Sequence, residues 1–221
     1  MHFDFKAIPA KDRYKLLVST ILPRPIALVT TVNHRGQPNA APFSFFNVIS
    51  DTPPLVILGI GGREPARDGD KDTIRNVAGN GEFVINLVDE PLMKKMNVCG
   101  IDFPPEIDEL AAAGLTALPS VHVAPPGIAE APVRFECRQW QSIPVGPDSR
   151  TLLIGEVLGM SLRDGIVSPE TLRVDIDALD LIGRLHGGGW YLRLTDRIQM
   201  ERLSEASFPA AASLTSRKPA K

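Results

Sequence analysis

Apolar residues come in short bursts along this chain, and glycine, proline and asparagine separate the bursts. Residues 26–32, "IALVTTV", are apolar and β-branched. "NHRG" follows with the turn residues Asn33 and Gly36, and the chain resumes at Gln37 and Pro38 toward Phe43, a pattern that predicts a β-hairpin. "SDTPP" (50–54) is a break, because consecutive prolines remove two ladder donors. Residues 55–60, "LVILGI", are apolar on both faces and predict an internal strand.

A polar, glycine-rich loop over residues 61–70 leads into "KDTIRNVAG", a short helix with Asp72 or Thr73 suited to the N-cap. Ile74, Val77 and Ala78 form its expected buried stripe, and Gly79, Asn80 and Gly81 stop it. "EFVINLV" (82–88) reads as a strand. "EPLMKKMNVCG" (90–100) and "PEIDELAAAG" (105–114) each carry proline near the start and glycine at the end, as helices do.

The second half returns to β. "VRFECRQWQ" should turn Val133, Phe135 and Cys137 inward. "RTLLIGEVLGM" and "TLRVDI" follow, and "IGRLHGGGWYLRL" (182–194) places a glycine-rich turn before a strand. The tail from Pro209 is small, polar and basic, and disorder is expected there. Many short strands with a few helices predict one mainly β, barrel-like domain over residues 1–208, with 209–221 as the tail.

One segment breaks its own period. Phe43, Ser44, Phe45, Phe46 and Asn47 mix aromatic and hydrogen-bonding residues without clean alternation. A core strand keeps polar atoms out of such a cluster, and a solvated loop does not carry three phenylalanines. The pattern asks for a ligand.

Composition narrows the choice. The chain has 221 residues, 43% hydrophobic and 23% charged, with a formal net charge of -2. No global field draws it to nucleic acid or to an anionic membrane. No apolar stretch approaches the roughly 18 residues of a membrane span. "MHFDFKAIPAKDRYK" has no apolar run behind a basic start, so a cytoplasmic protein is expected, with Cys99 and Cys137 as reduced core thiols.

Several chemistries drop out. "GIGGRE" (59–64) begins like a dinucleotide fingerprint but has Glu64 where the third glycine belongs. "HGGG" (186–189) matches the oxyanion-hole run of some esterases, yet no G-x-S-x-G elbow occurs. The four histidines lack helical pair spacing and the two cysteines form no C-x-x-C, so no metal site is expected.

Three polar-aromatic stretches remain: "LPRPIALVTT" (22–31), residues 39–60, and "GDKDTIRN" (69–76). A flat amphipathic ring system carrying a phosphate needs this mixture. Its rings need apolar walls and fixed hydrogen-bonding groups, and its phosphate needs a cation with hydroxyl and amide donors at a helix start. Lys71 and Thr73 offer the latter.

The ordered combination "RPIALVTTVNHRGQPNAAPFSFFNVISDTPPLVILGI…KDTIRN…GEFVINLV" resembles the flavin reductase-like family with the FMN-binding split barrel. "APVRFEC", "IGEVLGM" and "IGRLHGGGWY" fit its C-terminal half, so the resemblance covers residues 16–194. It implies a Greek-key split β-barrel, a homodimer, and FMN near the subunit interface, with NADH or NADPH as co-substrate. It also implies either an NAD(P)H-dependent flavin reductase, with an oxygenase as its partner, or an FMN-bound electron carrier of flavoredoxin type serving an acceptor protein.

Carried onto this chain, the resemblance puts Ser44, Phe45, Phe46 and Asn47 along the isoalloxazine and Thr30 and Thr31 toward ring or ribityl. Lys71 and Thr73 meet the phosphate, with Arg24 as a further candidate. His186 and Tyr191 approach the flavin or nicotinamide. Each residue also has an ordinary reading. The phenylalanines fill a core, one threonine faces solvent, and Lys71 to Thr73 simply start a helix. Arg24 pairs with a surface carboxylate, and His186 sits in a surface turn.

Overall fold

The expected hairpin is β1 (Ala27–Val32) with β2 (Pro38–Phe43), turned at Gly36, whose φ of 76° suits glycine. The structure is a computed structural model that describes residues 1–61, 70–146, 150–202 and 204. Before the hairpin lies α1 (Ala10–Thr20), and after it β3 (Phe46–Asp51), β4 (Pro54–Ile60), α2 (Asp72–Asn80) and β5 (Glu82–Leu87). The middle of the chain forms α3 (Met93–Val98), α4 (Glu109–Ala112), β6 (Ala117–Leu118) and β7 (Gly127–Ile128). Two long strands, β8 (Val133–Val145) and β9 (Arg150–Leu162), precede α5 (Ile176–Leu179), β10 (Ile182–Arg184) and β11 (Tyr191–Arg193).

Seven strands make one antiparallel sheet in the order β2-β1-β5-β8-β9-β4-β3. Its two edge strands are consecutive in sequence and joined only by Ser44 and Phe45, so the sheet must roll to bring its edges together. The Phe45 carbonyl accepts a 2.6 Å hydrogen bond from the Gly59 amide of β4, which fastens the roll. A side chain on Gly59 would stand a tight 3.0 Å from the Phe45 Cβ, so glycine suits the fastening. The step from β4 to β5 crosses the roll, which is the Greek-key connection. The expected split β-barrel is therefore the fold.

Two apolar clusters fill it. Alternate residues of β1 send Ala27 and Val29 inside the barrel with Val56, Leu58, Phe83 and Leu153, and Leu28 outward. The outer cluster packs Leu28 and Ala40 against Leu92 at the start of α3, Met96 of α3, Leu110 of α4 and Ile128. β1 is thus covered on both faces, and its residues from Ala27 to Thr31 are all fully buried.

Several local expectations change. The N-cap of α2 is Lys71 and has no side-chain cap bond, while Thr73 is buried and Ala78 exposed. The helix expected over 105–114 shrinks to α4, because Asp108 caps it by accepting from the Leu110 and Ala111 amides. "TLRVDI" is not a strand. Val174 makes an isolated bridge with Val167, and Asp175 caps α5. A bulge at Glu136/Cys137 breaks the inward alternation of β8, leaving Phe135 half-buried while Glu136 and Cys137 are buried. The loop over 62–69 and the tail from Pro209 lie outside the described residues. Both cysteines are free and buried.

Candidate functional site

β2 is an edge strand, hydrogen-bonded to a strand on one side only, and two adjoining cavities lie near its Phe43 end. They share Pro42, Phe43 and Gly100, so they form one groove with volumes of about 240 and 250 Å³ in its two halves. Together these fall within the roughly 300–1,000 Å³ usual for ligand sites.

The first half lies at the start of α2, bordered by Lys71, Asp72 and Thr73 with Asn39, Cys99 and Glu109. Asn39 organises it. Its Oδ1 accepts from the hydroxyls of Thr31 (3.4 Å) and Thr73 (3.5 Å), and its Nδ2 donates to Glu109 Oε1 at 2.8 Å. Glu109 Oε2 accepts from the Ala40 amide at 3.2 Å, which covers part of the free edge of β2. Asn76 Nδ2 donates to Thr31 Oγ1 at 2.9 Å, so β1, β2, α2 and α4 are tied by one polar network.

Glu109 is 6% exposed, and burial pushes its carboxyl above the usual range although its hydrogen bonds pull the other way. Burial, with Glu109 nearby, pushes the Cys99 thiol up to about 12. Lys71 pairs with Asp102 at 3.6 Å and keeps about a third of its side chain exposed.

The second half is bordered by Tyr14, Arg24, Ser44, Arg184, His186 and Tyr191. Arg24 is buried and holds this end together. Its Nη1 donates to the carbonyls of Val18 (2.6 Å) and Ile21 (3.2 Å) near the end of α1, and Nη2 to that of Leu185 (2.7 Å). Nε reaches Ser44 Oγ at 3.4 Å. Paired backbone bonds between Arg24 and Arg184 dock the β10–β11 hairpin beside the groove. Gly183 permits the approach, since a Cβ there would stand 2.7 Å from Pro23. In the hairpin the Arg184 guanidinium lies 4.6 Å over the Tyr191 ring, and His186 and Trp190 have ring centroids 6.1 Å apart.

The structure therefore brings Lys71, Thr73, Arg24, Ser44, His186 and Tyr191 to one groove. Phe45, Phe46 and Asn47 lie past the bend, where with Leu17, Ile21 and Ile57 they border a more apolar cavity of about 380 Å³. Thr30 and Thr31 border neither, and neither faces solvent. Thr30 donates to the Pro126 carbonyl at 2.5 Å and accepts from Asn86 Nδ2 at 3.3 Å, while Thr31 belongs to the Asn39 network. Arg24 pairs with carbonyls rather than a carboxylate. Sequence reasoning missed Asn39, Glu109, Tyr14 and Arg184. Asn39 and Arg184 stand inside the stretches that drew attention, whereas nothing local distinguishes Tyr14 or Glu109.

A rolled antiparallel sheet with a groove at its edge strand defines the architectural class. Residues 18–175 match the Flavin reductase like domain, and the chain belongs to that family. It is 40% identical over 216 residues to an uncharacterized protein of Deinococcus radiodurans, covering 94% of this chain and 92% of that one. Among solved structures it is similar to 2-nitrobenzoate 2-nitroreductase NbaA of Pseudomonas fluorescens, with TM-score 0.85, 34% identity, and 96% and 100% of the two chains covered. Nitrilotriacetate monooxygenase component B of Bacillus cereus aligns with TM-score 0.84, 34% identity, and 90% and 98% covered. Among the described residues no helix is long and apolar enough to cross a membrane.

Proposed function

We propose that this chain binds FMN along the groove at β2 and acts as an NAD(P)H-dependent flavin reductase. The observation that carries the reading is the groove itself, with a lysine and a buried threonine at a helix start on one side and aromatic walls on the other. The residues fit the cofactor. Lys71, the Thr73 hydroxyl and the first-turn amides of α2 receive the phosphate, since a helix start carries partial positive charge and unpaired N–H groups.

Phe43, Ile26 and Met96 give the ring an apolar wall, and the outer backbone edge of β2 offers hydrogen-bonding groups to its polar rim. Asn39, which also accepts from Thr31, acts one layer back as the acceptor of the Thr73 hydroxyl at a long 3.5 Å, and that hydroxyl turns its proton from Asn39 to the phosphate. Bound flavin supplies the chemistry of accepting hydride from nicotinamide and passing electrons on. The protein orients the rings and excludes water, so the reaction needs no dedicated acid or base.

The reading extends to the assembly. Val48 and Ile49 on edge strand β3 are 67% and 49% exposed, and the neighbouring cavity is walled by Leu17, Ile21, Phe45 and Phe46. A second copy covering this surface makes the homodimer. The likeness to a monooxygenase component supports delivery of reduced flavin to an oxygenase.

The test is titration of flavin-free protein with FMN and with riboflavin, followed by absorbance after desalting. The proposal expects one FMN retained per chain and riboflavin bound about tenfold more weakly. Retention of neither flavin overturns it.

A further inference from the structure

We infer that Glu109 sets how firmly FMN is held: its buried carboxylate works against the flavin phosphate and keeps the flavin exchangeable. This role rests on the FMN reading given above. Charge and hydrogen-bond direction both point to it. Glu109 borders the half-groove at α2 together with Lys71, Asp72, Thr73 and Asp102. It is 6% exposed, and among the described residues no lysine, arginine or histidine pairs with it.

A buried carboxylate without a cation is costly, and the scaffold does not need one here. Both partners of Glu109 are N–H donors, Asn39 Nδ2 at 2.8 Å and the Ala40 amide at 3.2 Å. A glutamine of the same shape would accept from Ala40 and, once the Asn39 carboxamide flips, donate to Asn39. The free edge of β2 would be covered equally well. The charge therefore acts on what enters the cavity. A space of about 240 Å³ is roughly 8 Å across, and two unit charges that far apart at an effective dielectric of about 20 repel enough to weaken binding tenfold or more.

Direction adds to charge. An ionised carboxylate only accepts, so Asn39 must turn Nδ2 to Glu109 and Oδ1 to the hydroxyls of Thr31 and Thr73. The Thr73 proton then points at Asn39 and has to be withdrawn before it can meet a phosphate. The flip that glutamine induces reverses this. Asn39 Nδ2 donates to the hydroxyl oxygens, and the Thr73 proton is left for the phosphate. Lys71 and the first turn of α2 draw the phosphate in, while Glu109 limits how firmly it stays, which suits a flavin that leaves after reduction.

The experiment is fluorescence titration of flavin-free wild type and Glu109→Gln with FMN and with riboflavin. At about pH 7.5 the variant is expected to bind FMN about tenfold more tightly than wild type, with riboflavin affinity within about twofold. A purely structural glutamate gives the opposite, a loss on both flavins. The FMN gain is also expected to shrink as pH falls toward about 5, because burial first, and Asp72 as well, hold the Glu109 carboxyl above the usual range and wild type then sheds the charge that the variant lacks. Lys71, Asp72, Cys99, Asp102 and Asp108 around it are common to both proteins, as is the flavin phosphate, so their titration leaves the ratio of the two affinities. Equal FMN affinity of the two proteins, a gain shared by riboflavin, or a gain constant across pH overturns this role. Failure of both proteins to bind either flavin defeats the proposed function instead and takes the role of Glu109 with it.

Discussion

Arg24→Met removes a buried cation while keeping most of its stem. Two of its bonds are short, 2.6 Å to the Val18 carbonyl and 2.7 Å to that of Leu185, and two are long, 3.2 and 3.4 Å. A hydrogen bond from a charged donor contributes about 1.5–3 kcal/mol net, so the two short ones together contribute about 3–6 kcal/mol. Removing the charge relieves some desolvation, but carbonyls near the end of α1 and in the β10–β11 hairpin lose their donor. A net loss of about 3 kcal/mol follows. For a chain of this size it corresponds to a fall in Tm of roughly 6–12 °C. Urea unfolding of flavin-free protein measures it, and an unchanged m-value indicates that the denatured state is not the cause. Because Arg24 docks the hairpin, Trp190 fluorescence in a Trp140→Phe background should also shift before global unfolding. A loss under about 1 kcal/mol, with Trp190 unmoved, refutes the reasoning.

Three further outcomes follow. Lys71→Ala should weaken FMN about tenfold or more and leave riboflavin unchanged in fluorescence titration, since only the phosphate meets the lysine; equal weakening of both flavins contradicts the assignment. Burial raises the folded-state pKa of Glu109, so wild type should gain stability relative to Glu109→Gln as pH falls from 7 toward about 4.3 and lose that gain as pH rises again. Urea midpoints across that range check it, and parallel profiles contradict it. Cys99 and Cys137 are 3% and 0% exposed, and burial raises both thiols, so neither should react quickly with Ellman's reagent at pH 8 in the native protein, whereas both should react in guanidinium. A fast native thiol contradicts the buried placement.

Much of the barrel is legible in the sequence because strand signals are local. The β1–β2 hairpin, the return at Pro54 and the strand from Glu82 are written in residue period and turn chemistry. α1 is not written this way. Val18 is its one buried residue, so no apolar stripe marks it. The burial of both Thr30 and Thr31 contradicts a simple alternation because β1 has packed layers on both faces, which only the rolled sheet creates. α4 is shorter than its alanines suggest because Asp108 sets where it begins.

The candidate site divides in the same way. Lys71 and Thr73 sit where a helix start is visible in the sequence. The irregular run from Phe43 to Asn47 did mark a feature, the bend between the two sheet edges, with the groove on one side and an apolar cavity on the other. The roles of Arg24, Glu109 and Arg184 arise from residues far away in the chain, as with Arg24 and Leu185 at a separation of 161 positions. No local pattern encodes a pairing of that length.

The most direct test of the central claim is anaerobic absorbance spectroscopy of the FMN-loaded protein during addition of NADH or NADPH. The account predicts that at least one of the two bleaches the flavin band within the dead volume of a stoichiometric addition and that air restores it. A flavin band unchanged by either nucleotide in excess contradicts the reductase reading and leaves an electron carrier in its place.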